Sequence, residues 1–441
     1  MNKWFIFVIN SQKRRFMISR FSFENVLSFK DAQVFSMFAS AKKERLFDDS
    51  QNYVENVKDV KTLSSAVLYG ANASGKSNLI KALLHFRTLI VTGNQNLDSL
   101  DFAVPNFQLD AEKAKMPAQF EIECFWKEKC YRYGFSFLNA GIEEEWLYVK
   151  EKRESEVFYR KKQDFTIHNK NKILHELTSK KMVHSKAFLV TIGAQFNDAS
   201  CAGFLEWMHH FNIISGIDDR LYKDYTVRRM KESREFSQKI IELIKFADFG
   251  IEDISISSIP GQNIKFTVGA NAAVEVEPGT IDDLMSRRFV MNSNGLPELK
   301  DFHFGQFESE GTQKFAHIAG PIVDVLEKGS VLVIDELDTK LHPELTERLV
   351  LLFHNKIINK HNAQLIFTSH NTNLLDAKIF RRDQIFFVEK DSFGASNVYS
   401  LADLKKDGKS TRNDENIEMN YLKGKYGALP ILGDFDNQLN R

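Results

Sequence analysis

Short apolar runs that end in glycine or in charged residues recur along this chain of 441 residues. Residues 66–69 lead into a glycine-rich stretch and then into a helical pattern at 78–84. Residues 331–334 and 364–368 are almost continuously apolar, as parallel strands covered on both faces are. The pattern predicts an α/β protein whose parallel strands deliver polar residues at their carboxyl ends.

The remaining pattern suggests how the chain is divided. Residues 118–165 alternate between apolar and polar positions and predict an antiparallel sheet, whereas residues 170–247 are mostly helical in character, including 237–247. Short strands are predicted within 250–285, at 254–256 and 264–268. The predicted segments are an extra N-terminal segment 1–16 (an added strand or a mis-called start), a first lobe 17–165, an insertion 166–300, and a second lobe 301–441.

The glycine-rich stretch after the first strand has the spacing of a phosphate-binding P-loop, Gly-x-x-x-x-Gly-Lys-Ser. Its glycines allow the backbone amides to converge on phosphate oxygens at a helix N-terminus. Lys76 is predicted to reach the β- and γ-phosphates, and Ser77 to hold Mg²⁺. The predicted nucleotide-binding residues are Gly70, Asn72, Ser74, Gly75, Lys76, Ser77 and Asn78. Because no guanine-reading Asn-Lys-x-Asp occurs, the predicted ligand is ATP with Mg²⁺.

Two further strand ends carry candidate catalytic groups. Asp335 and Glu336 follow the apolar run 331–334, where Asp335 is predicted to hold Mg²⁺ and Glu336 to polarise the attacking water. His370 ends the next predicted strand, 34 residues after Glu336, and is predicted to sense or stabilise charge at the γ-phosphate. The predicted catalytic residues are therefore Glu336, Lys76 and His370.

A Ser-x-Gly turn, Ser309 to Gly311, precedes a helical pattern 26 residues before Asp335 and is a third candidate for phosphate contact. The order of P-loop, Ser-x-Gly helix, Asp-Glu strand and strand-end histidine resembles the ABC-type ATPase heads of the SMC, RecF and OLD group. Asn72 and Asn78 strengthen that resemblance. It implies a P-loop NTPase of the ABC-type head fold, with a mixed sheet, a flanking antiparallel sheet and an inserted helical lid domain.

Residues 23–30, 308–312, 335–343 and 421–430 resemble more narrowly the AAA-15 and AAA-21 ATPases of abortive-infection and restriction-linked loci, of the AbiL and RloA kind. Three departures from the wider ABC pattern stand out. The usual Leu-Ser-Gly-Gly-Gln is Glu-Ser-Glu-Gly-Thr here, and His342 replaces the aspartate of many heads. The third departure is that no magnesium-sensing glutamine is evident. The best candidate is Gln108, which a surface role explains equally well.

The resemblance implies a homodimer in which two subunits meet head-to-tail around two ATP molecules. Ser309 and Gly311 of one subunit would contact the γ-phosphate held by Lys76 and Ser77 of the other. Whether dimers assemble further stays open. The first hypothesis is an ATPase switch of an anti-phage system that gates a separately encoded effector, a nuclease or toxin. The alternatives are a RecF-like DNA-repair ATPase and a self-contained toxin.

Composition narrows these alternatives only partly. With 59 basic and 59 acidic residues the net charge is zero, so nucleic-acid binding has to be local. The basic segment 160–186 is a candidate, although a solvated face explains it as well. Three cysteines without metal or disulfide spacing fit a reducing cytoplasm, and no apolar run reaches the roughly 18–20 residues of a membrane span. Arg348 and His354 have the spacing of a HEPN ribonuclease pair, but they fall on a helix that is predicted to pack. Residues 433–436 contain the Asp-x-Asp of a TOPRIM nuclease but lie too near the C-terminus for a nuclease domain to surround them.

Overall fold

The computed structural model describes residues 16–41, 50–55, 60–92, 105–138, 141–168, 170–247, 250–267, 273–376, 379–406, 409–410 and 415–429. Most of the predicted extra segment 1–16 and the stretch 433–436 lie outside these residues. The described chain forms two compact units. The first comprises Met1–Ile214, Leu326–Leu337 and Glu347–Arg441, and the second comprises Ser215–Val325 and Asp338–Thr346.

A six-stranded mixed sheet forms the centre of the first unit. Its strands are, in sheet order, β11 (Phe211–Ser215), β15 (Val331–Asp335), β16 (Gln364–Thr368), β5 (Ser65–Tyr69), β17 (Ile385–Lys390) and β18 (Ser396–Ser400). The four strands from β15 to β17 are parallel, and β18 is antiparallel to β17. The predicted buried strands therefore exist, and the three that carry candidate chemistry are consecutive neighbours.

A seven-stranded antiparallel sheet completes the first unit, as the alternation within 118–165 predicts. Its order is β10 (Asp164–Ile167), β9 (Glu154–Lys161), β8 (Gly141–Lys150), β7 (Lys129–Leu138), β6 (Ala118–Trp126), β1 (Phe16–Glu24) and β2 (Gln33–Ser36). Two small pairs are β3 (Tyr53–Glu55) with β4 (Lys61–Leu63) and β19 (Lys405–Lys406) with β20 (Lys409–Ser410).

Helices of the first unit are α1 (Lys76–Thr92), α2 (Lys172–Ser179), α3 (Leu189–Gln195), α4 (Ala199–His209), α10 (Asn373–Asp376) and α11 (Ile417–Leu422). Helix α9 (Pro343–His354) belongs to this unit from Glu347 onward. The P-loop helix α1 packs against the antiparallel sheet through an aromatic cluster. Phe86 of α1 stacks on Phe135, with ring centroids 5.5 Å apart, and meets Phe21 edge-on at 5.8 Å. Because aromatic pairs at these distances stabilise packing beyond area burial, the cluster holds α1 against the antiparallel sheet.

The second unit combines helices with a long hairpin. Its elements are α5 (Arg220–Glu232), α6 (Arg234–Phe246), β12 (Asp253–Thr267), β13 (Ala273–Met291), β14 (Pro297–His303) and α7 (Phe304–Phe307). Helix α8 (Glu310–Lys328) belongs to this unit up to Val325. The prediction of short strands within 250–285 was wrong, because β12 is continuous through Pro260 and Gly261. Within the described residues β12 is an edge strand of the three-stranded sheet, a position at which proline is tolerated.

Pro321 interrupts the backbone bonding of α8, and the second unit compensates for it. Proline cannot donate to the carbonyl four residues earlier, that of His317. The Thr226 hydroxyl donates to this carbonyl instead, at 2.6 Å. The close approach depends on Gly320, since a Cβ there would lie 2.2 Å from the Thr226 Oγ1. The helix therefore stays continuous from Glu310 to Lys328.

His354, at the end of α9, is fully buried beneath the central sheet rather than exposed as a ribonuclease residue would be. Its Nε2 lies 2.8 Å from the Ser65 Oγ, and the Gln384 amide donates to the same hydroxyl at 3.0 Å. Burial lowers the pKa of His354 to about 4. The folded protein therefore keeps this ring neutral, as predicted for a packing role.

This burial predicts a pH-dependent stability. The unfolded chain binds a proton at His354 below about pH 6.5, whereas the folded chain does so only near pH 4, so the free energy of unfolding should fall as the pH drops through this window, by up to about 3 kcal/mol. His354→Gln should flatten the dependence of the urea midpoint on pH between 6.5 and 4.5. The control His209→Gln changes an exposed ring and should leave the slope as in the wild type. An equal slope in His354→Gln and wild type would contradict the assignment.

Candidate functional site

The parallel pairing of β15, β16 and β5 places three sets of candidate residues at one edge of the central sheet. The P-loop follows β5, Ser369 and His370 follow β16, and Asp335 ends β15 with Glu336 next to it. The strand that ends at the histidine lies between the other two. Because carboxyl ends of parallel strands meet at the same edge, all of the predicted residues of this unit are neighbours there.

The P-loop joins β5 to α1 as a turn from Gly70 to Gly75, and α1 begins at Lys76. Gly75 has φ +117°, a conformation that other residues rarely adopt. A Cβ at Gly75 would lie 2.5 Å from the Ser396 Oγ, so the loop also needs a glycine here for space. Lys76 is buried, and its ammonium donates to the carbonyl oxygens of Gly70 and Ala71 at 2.7 and 3.1 Å.

Two serines outside the P-loop hold it in place. The Ser396 hydroxyl, at the start of β18, donates to the Ser74 carbonyl at 2.6 Å and lies 2.8 Å from the Ser28 Oγ. The Asn78 amide donates to the same Ser28 hydroxyl at 2.8 Å. Asn78, predicted to bind nucleotide, is thus used to attach α1 to the loop between β1 and β2. Sequence reasoning gave neither serine a role, although Ser28 lies within the family-like stretch 23–30.

The P-loop presents polar groups of the kind that bind a triphosphate. Within the described residues the Ser74 Oγ is buried and has no hydrogen-bond partner, so it is an unused polar group inside the loop. Ser77, in the first turn of α1, is half-buried, and Asn72 is exposed at the loop tip. The first turn of α1 also presents backbone amides and the positive end of the helix dipole. These groups suit a polyphosphate anion and a hard cation that takes hydroxyl and carboxylate oxygens.

Thr368 joins the two carboxylate residues at the ends of the strands. Its buried hydroxyl donates to the Asp335 Oδ1 at 2.7 Å and accepts the Glu336 backbone N–H at 2.6 Å. The Thr368 carbonyl also accepts from the Leu337 N–H at 3.2 Å. Glu336 has φ +56°, a left-handed conformation in which the chain turns directly after the strand. Sequence reasoning missed Thr368, although a hydroxyl residue directly before Ser369 and His370 was the available signal.

His370 is exposed, and the loop around it is fixed to the P-loop strand. The Tyr69 hydroxyl, one residue before the P-loop, donates to the Asn371 carbonyl at 2.9 Å. The Asn371 N–H donates to the Ser369 hydroxyl at 2.9 Å. The histidine loop and the P-loop are therefore linked through β5.

The second unit carries the Ser-x-Gly turn at the start of α8, as predicted. Ser309 is exposed, and its hydroxyl accepts the Thr312 N–H at 3.2 Å, which caps the helix. The preceding Glu308 is buried and receives two bonds from the Arg288 guanidinium of β13, at 2.9 and 2.6 Å. No sequence signal pointed to Arg288.

The loop that follows the Asp-Glu strand is bound tightly to this turn within the second unit. A Cβ at Gly311 would lie 2.6 Å from the Lys340 carbonyl, so a side chain there would push the two segments apart. The buried Lys314 ammonium donates to the Thr339 carbonyl at 2.6 Å. His342, in the position of the family's aspartate, is exposed. Ser309 and Gly311 thus sit on a rigid corner of the second unit.

Gln108, the candidate magnesium-sensing residue, is exposed and donates to the Asn106 carbonyl at 2.9 Å. Its segment is attached to the loop between β1 and β2, since the Leu27 N–H donates to the Pro105 carbonyl at 2.9 Å. Either role proposed for Gln108 therefore stays a prediction. None of the described helices combines the length and the apolar character that crossing a bilayer requires.

Comparisons with known proteins identify a family. A family model described as "AAA domain, putative AbiEii toxin, Type IV TA system" matches residues 65–376. Among solved structures the chain is similar to the SMC head domain from Thermotoga maritima, with 14% identity and a TM-score of 0.40 over 87% of this chain and 98% of that one. An Smc head from Pyrococcus furiosus, bound to the C-terminal domain of ScpA, has 13% identity and a TM-score of 0.38 over 87% and 96%.

No curated protein matches the chain. The family model alone spans well over half of the residues, from the first residue of β5 to the last residue of α10. The protein therefore belongs to this AAA-21 family and is an ATPase with an α/β P-loop fold.

Proposed function

We propose that the protein is an ATP-driven switch of an anti-phage defence system, which closes as a head-to-tail homodimer and controls a separately encoded effector, a nuclease or toxin. The observation that carries the switch is that the candidate phosphate-contacting residues fall in two separate compact units. The P-loop, Asp335 and Glu336 belong to one unit, and the exposed Ser309 belongs to the other, on a corner that Gly311 and Lys314 make rigid. An exposed helix start of this kind suits contact with a phosphate held by a second subunit.

In this proposal the P-loop residues bind and orient ATP. The amides of residues 70–77 and the Ser74 hydroxyl contact phosphate oxygens, and Lys76 moves its ammonium from the Gly70 carbonyl to the β- and γ-phosphates. Ser77 and Asp335 would hold Mg²⁺, which when bound neutralises charge that develops on the transferred phosphoryl group. Asn72 at the loop tip is proposed to contact the same nucleotide.

Glu336 and His370 have separate tasks in hydrolysis. The Glu336 carboxylate orients a water molecule and accepts its proton as the water attacks. His370 donates a hydrogen bond to the γ-phosphate, where negative charge increases. Thr368 is the positioning residue for Asp335 and Glu336, because its single hydroxyl bonds both the Asp335 carboxylate and the Glu336 backbone.

Thr368→Val tests this positioning. Valine fills the same volume but can neither donate to Asp335 nor accept from the Glu336 N–H, so kcat for ATP hydrolysis should fall by about 10-fold or more. Thr368→Ser keeps the hydroxyl and should retain most of the activity. Steady-state ATPase assays beside a thermal melt separate a positioning effect from unfolding. A Thr368→Val variant with wild-type kcat would show that the hydroxyl does not matter for catalysis.

Glu336→Gln tests the shared site. Without the carboxylate, ATP should bind but persist, so the closed dimer should accumulate and light scattering should give twice the monomer mass. Adding Ser309→Arg to this variant introduces a large side chain at an exposed position and should return the protein to a monomer without loss of ATP binding. A monomeric Glu336→Gln protein at saturating ATP would refute the head-to-tail mechanism.

The defence role rests on the family description, which names a putative toxin of a type IV toxin–antitoxin system, and on the family-like tail at 421–430. We propose that the insertion 166–300 is the lid that contacts the effector and that the protein acts in the cytoplasm.

The test is co-purification of the tagged protein with the products of its neighbouring genes, with and without ATP, beside Lys76→Ala. A neighbour whose retention changes with ATP or with Lys76→Ala is the expected result. Recovery of nucleic acid with ATP, and of no neighbour in any state, would instead support a RecF-like repair ATPase.

A further inference from the structure

The described C-terminal segment, residues 415–429, packs beside the P-loop strand and the histidine loop. It lies outside the nucleotide-binding motifs themselves. The segment contains α11, followed by a glycine-rich turn. Tyr421 of α11 is buried, with its ring 5.8 Å from that of Tyr69 and stacked on Phe387 of β17 at 5.2 Å. The tail motif that the sequence singled out is therefore a docked element of the first unit.

Polar contacts fix the register of this docking. The Tyr399 hydroxyl donates to the Tyr426 carbonyl at 2.8 Å, and the Ala428 N–H donates to the Glu389 carboxylate at 3.1 Å. Gly427 has φ +75°, and a Cβ there would lie 2.4 Å from the Glu389 Oε2. A side chain at Gly427 would be strained by this φ and would displace the Glu389 carboxylate, so glycine favours the seating of the tail against β17.

One contact connects the docked tail to the histidine loop directly. The Thr372 hydroxyl, two residues after His370, donates to the Glu418 Oε1 of α11 at 2.9 Å. The Tyr69 hydroxyl donates to the Asn371 carbonyl of the same loop at 2.9 Å. The loop that carries His370 is thus bonded both to the strand that precedes the P-loop and to the C-terminal segment.

We propose that the C-terminal segment is a strap that positions His370 for ATP hydrolysis, with Glu418 as its positioning residue. Glu418 acts through Thr372 and contacts no nucleotide. His370 lies two residues before Thr372 in the loop after β16, so a restraint on Thr372 bears on where the histidine is held. The inference rests on the proposed role of His370.

The test compares Glu418→Ala and Thr372→Val with the wild type in the full-length chain. Each substitution removes one partner of the same hydrogen bond, so each should lower kcat about fivefold, the effect of a single such bond, while KM for ATP stays within about twofold. Glu418→Gln keeps an acceptor oxygen and should retain wild-type kcat. Met419→Ala, at an exposed position of the same helix, is the matched control and should change neither parameter.

The double variant His370→Ala with Glu418→Ala separates the strap from its consequences. If Glu418 acts through His370, the double variant should hydrolyse ATP at the rate of His370→Ala alone. Additive losses, or a wild-type kcat in Glu418→Ala, would overturn the strap. A wild-type kcat in His370→Ala would overturn the proposed role of His370 instead.

Hydrogen exchange provides a readout that does not depend on catalysis. In Glu418→Ala the amides of 369–375 should exchange faster than in wild type, and those of the P-loop helix α1 should be unchanged. Unchanged exchange at 369–375 would show that the tail does not restrain the loop, whatever the kinetic result.

Discussion

The parallel pairing of β15, β16 and β5 is the constraint on which the site depends. Adjacent parallel strands end at one edge of a sheet, so three segments far apart in the chain deliver their polar residues to one place. The buried hydroxyl of Thr368 uses this proximity, because it can bond Asp335 and the Glu336 backbone only while β16 lies beside β15. If its partners were displaced, the buried hydroxyl would lose its hydrogen bonds and the desolvation penalty would destabilise the fold. The contacts that position Asp335 and Glu336 therefore also stabilise the sheet.

Support for the P-loop and the histidine loop comes from residues outside the nucleotide-binding motifs. Ser396 at the start of β18 and Ser28 between β1 and β2 hold the loop and α1 from the side, while Tyr69 and Glu418 hold the histidine loop. The site is therefore rigid where phosphate and metal ligands have to be fixed in advance, which lowers the cost of organising them when nucleotide binds. In the second unit the same logic applies to Ser309, whose corner is fixed by Arg288, Gly311 and Lys314.

Sequence reasoning succeeded where the signal was local and failed where it depended on edge position or on distant partners. The strands around Asp335 and His370, the P-loop helix and the Ser-x-Gly helix were all evident from apolar runs followed by polar residues. The division of 250–285 into short strands was wrong because Pro260 breaks a strand in general, yet is tolerated on the outer edge of β12. The strand β11, which joins the central sheet next to β15, was missed within a segment of helical character.

By itself the sequence determined the chemistry: the spacing of Gly70, Gly75, Lys76 and Ser77, and the acids at Asp335 and Glu336, specify a nucleotide site because phosphate and magnesium accept few other ligand sets. Only the tertiary structure decided which residues support that chemistry. Thr368, Ser396, Arg288 and Glu418 act through partners from about 20 to more than 300 positions away in the chain, and no local pattern encodes a contact of that range. Their roles follow from strand order and from where the C-terminal segment docks.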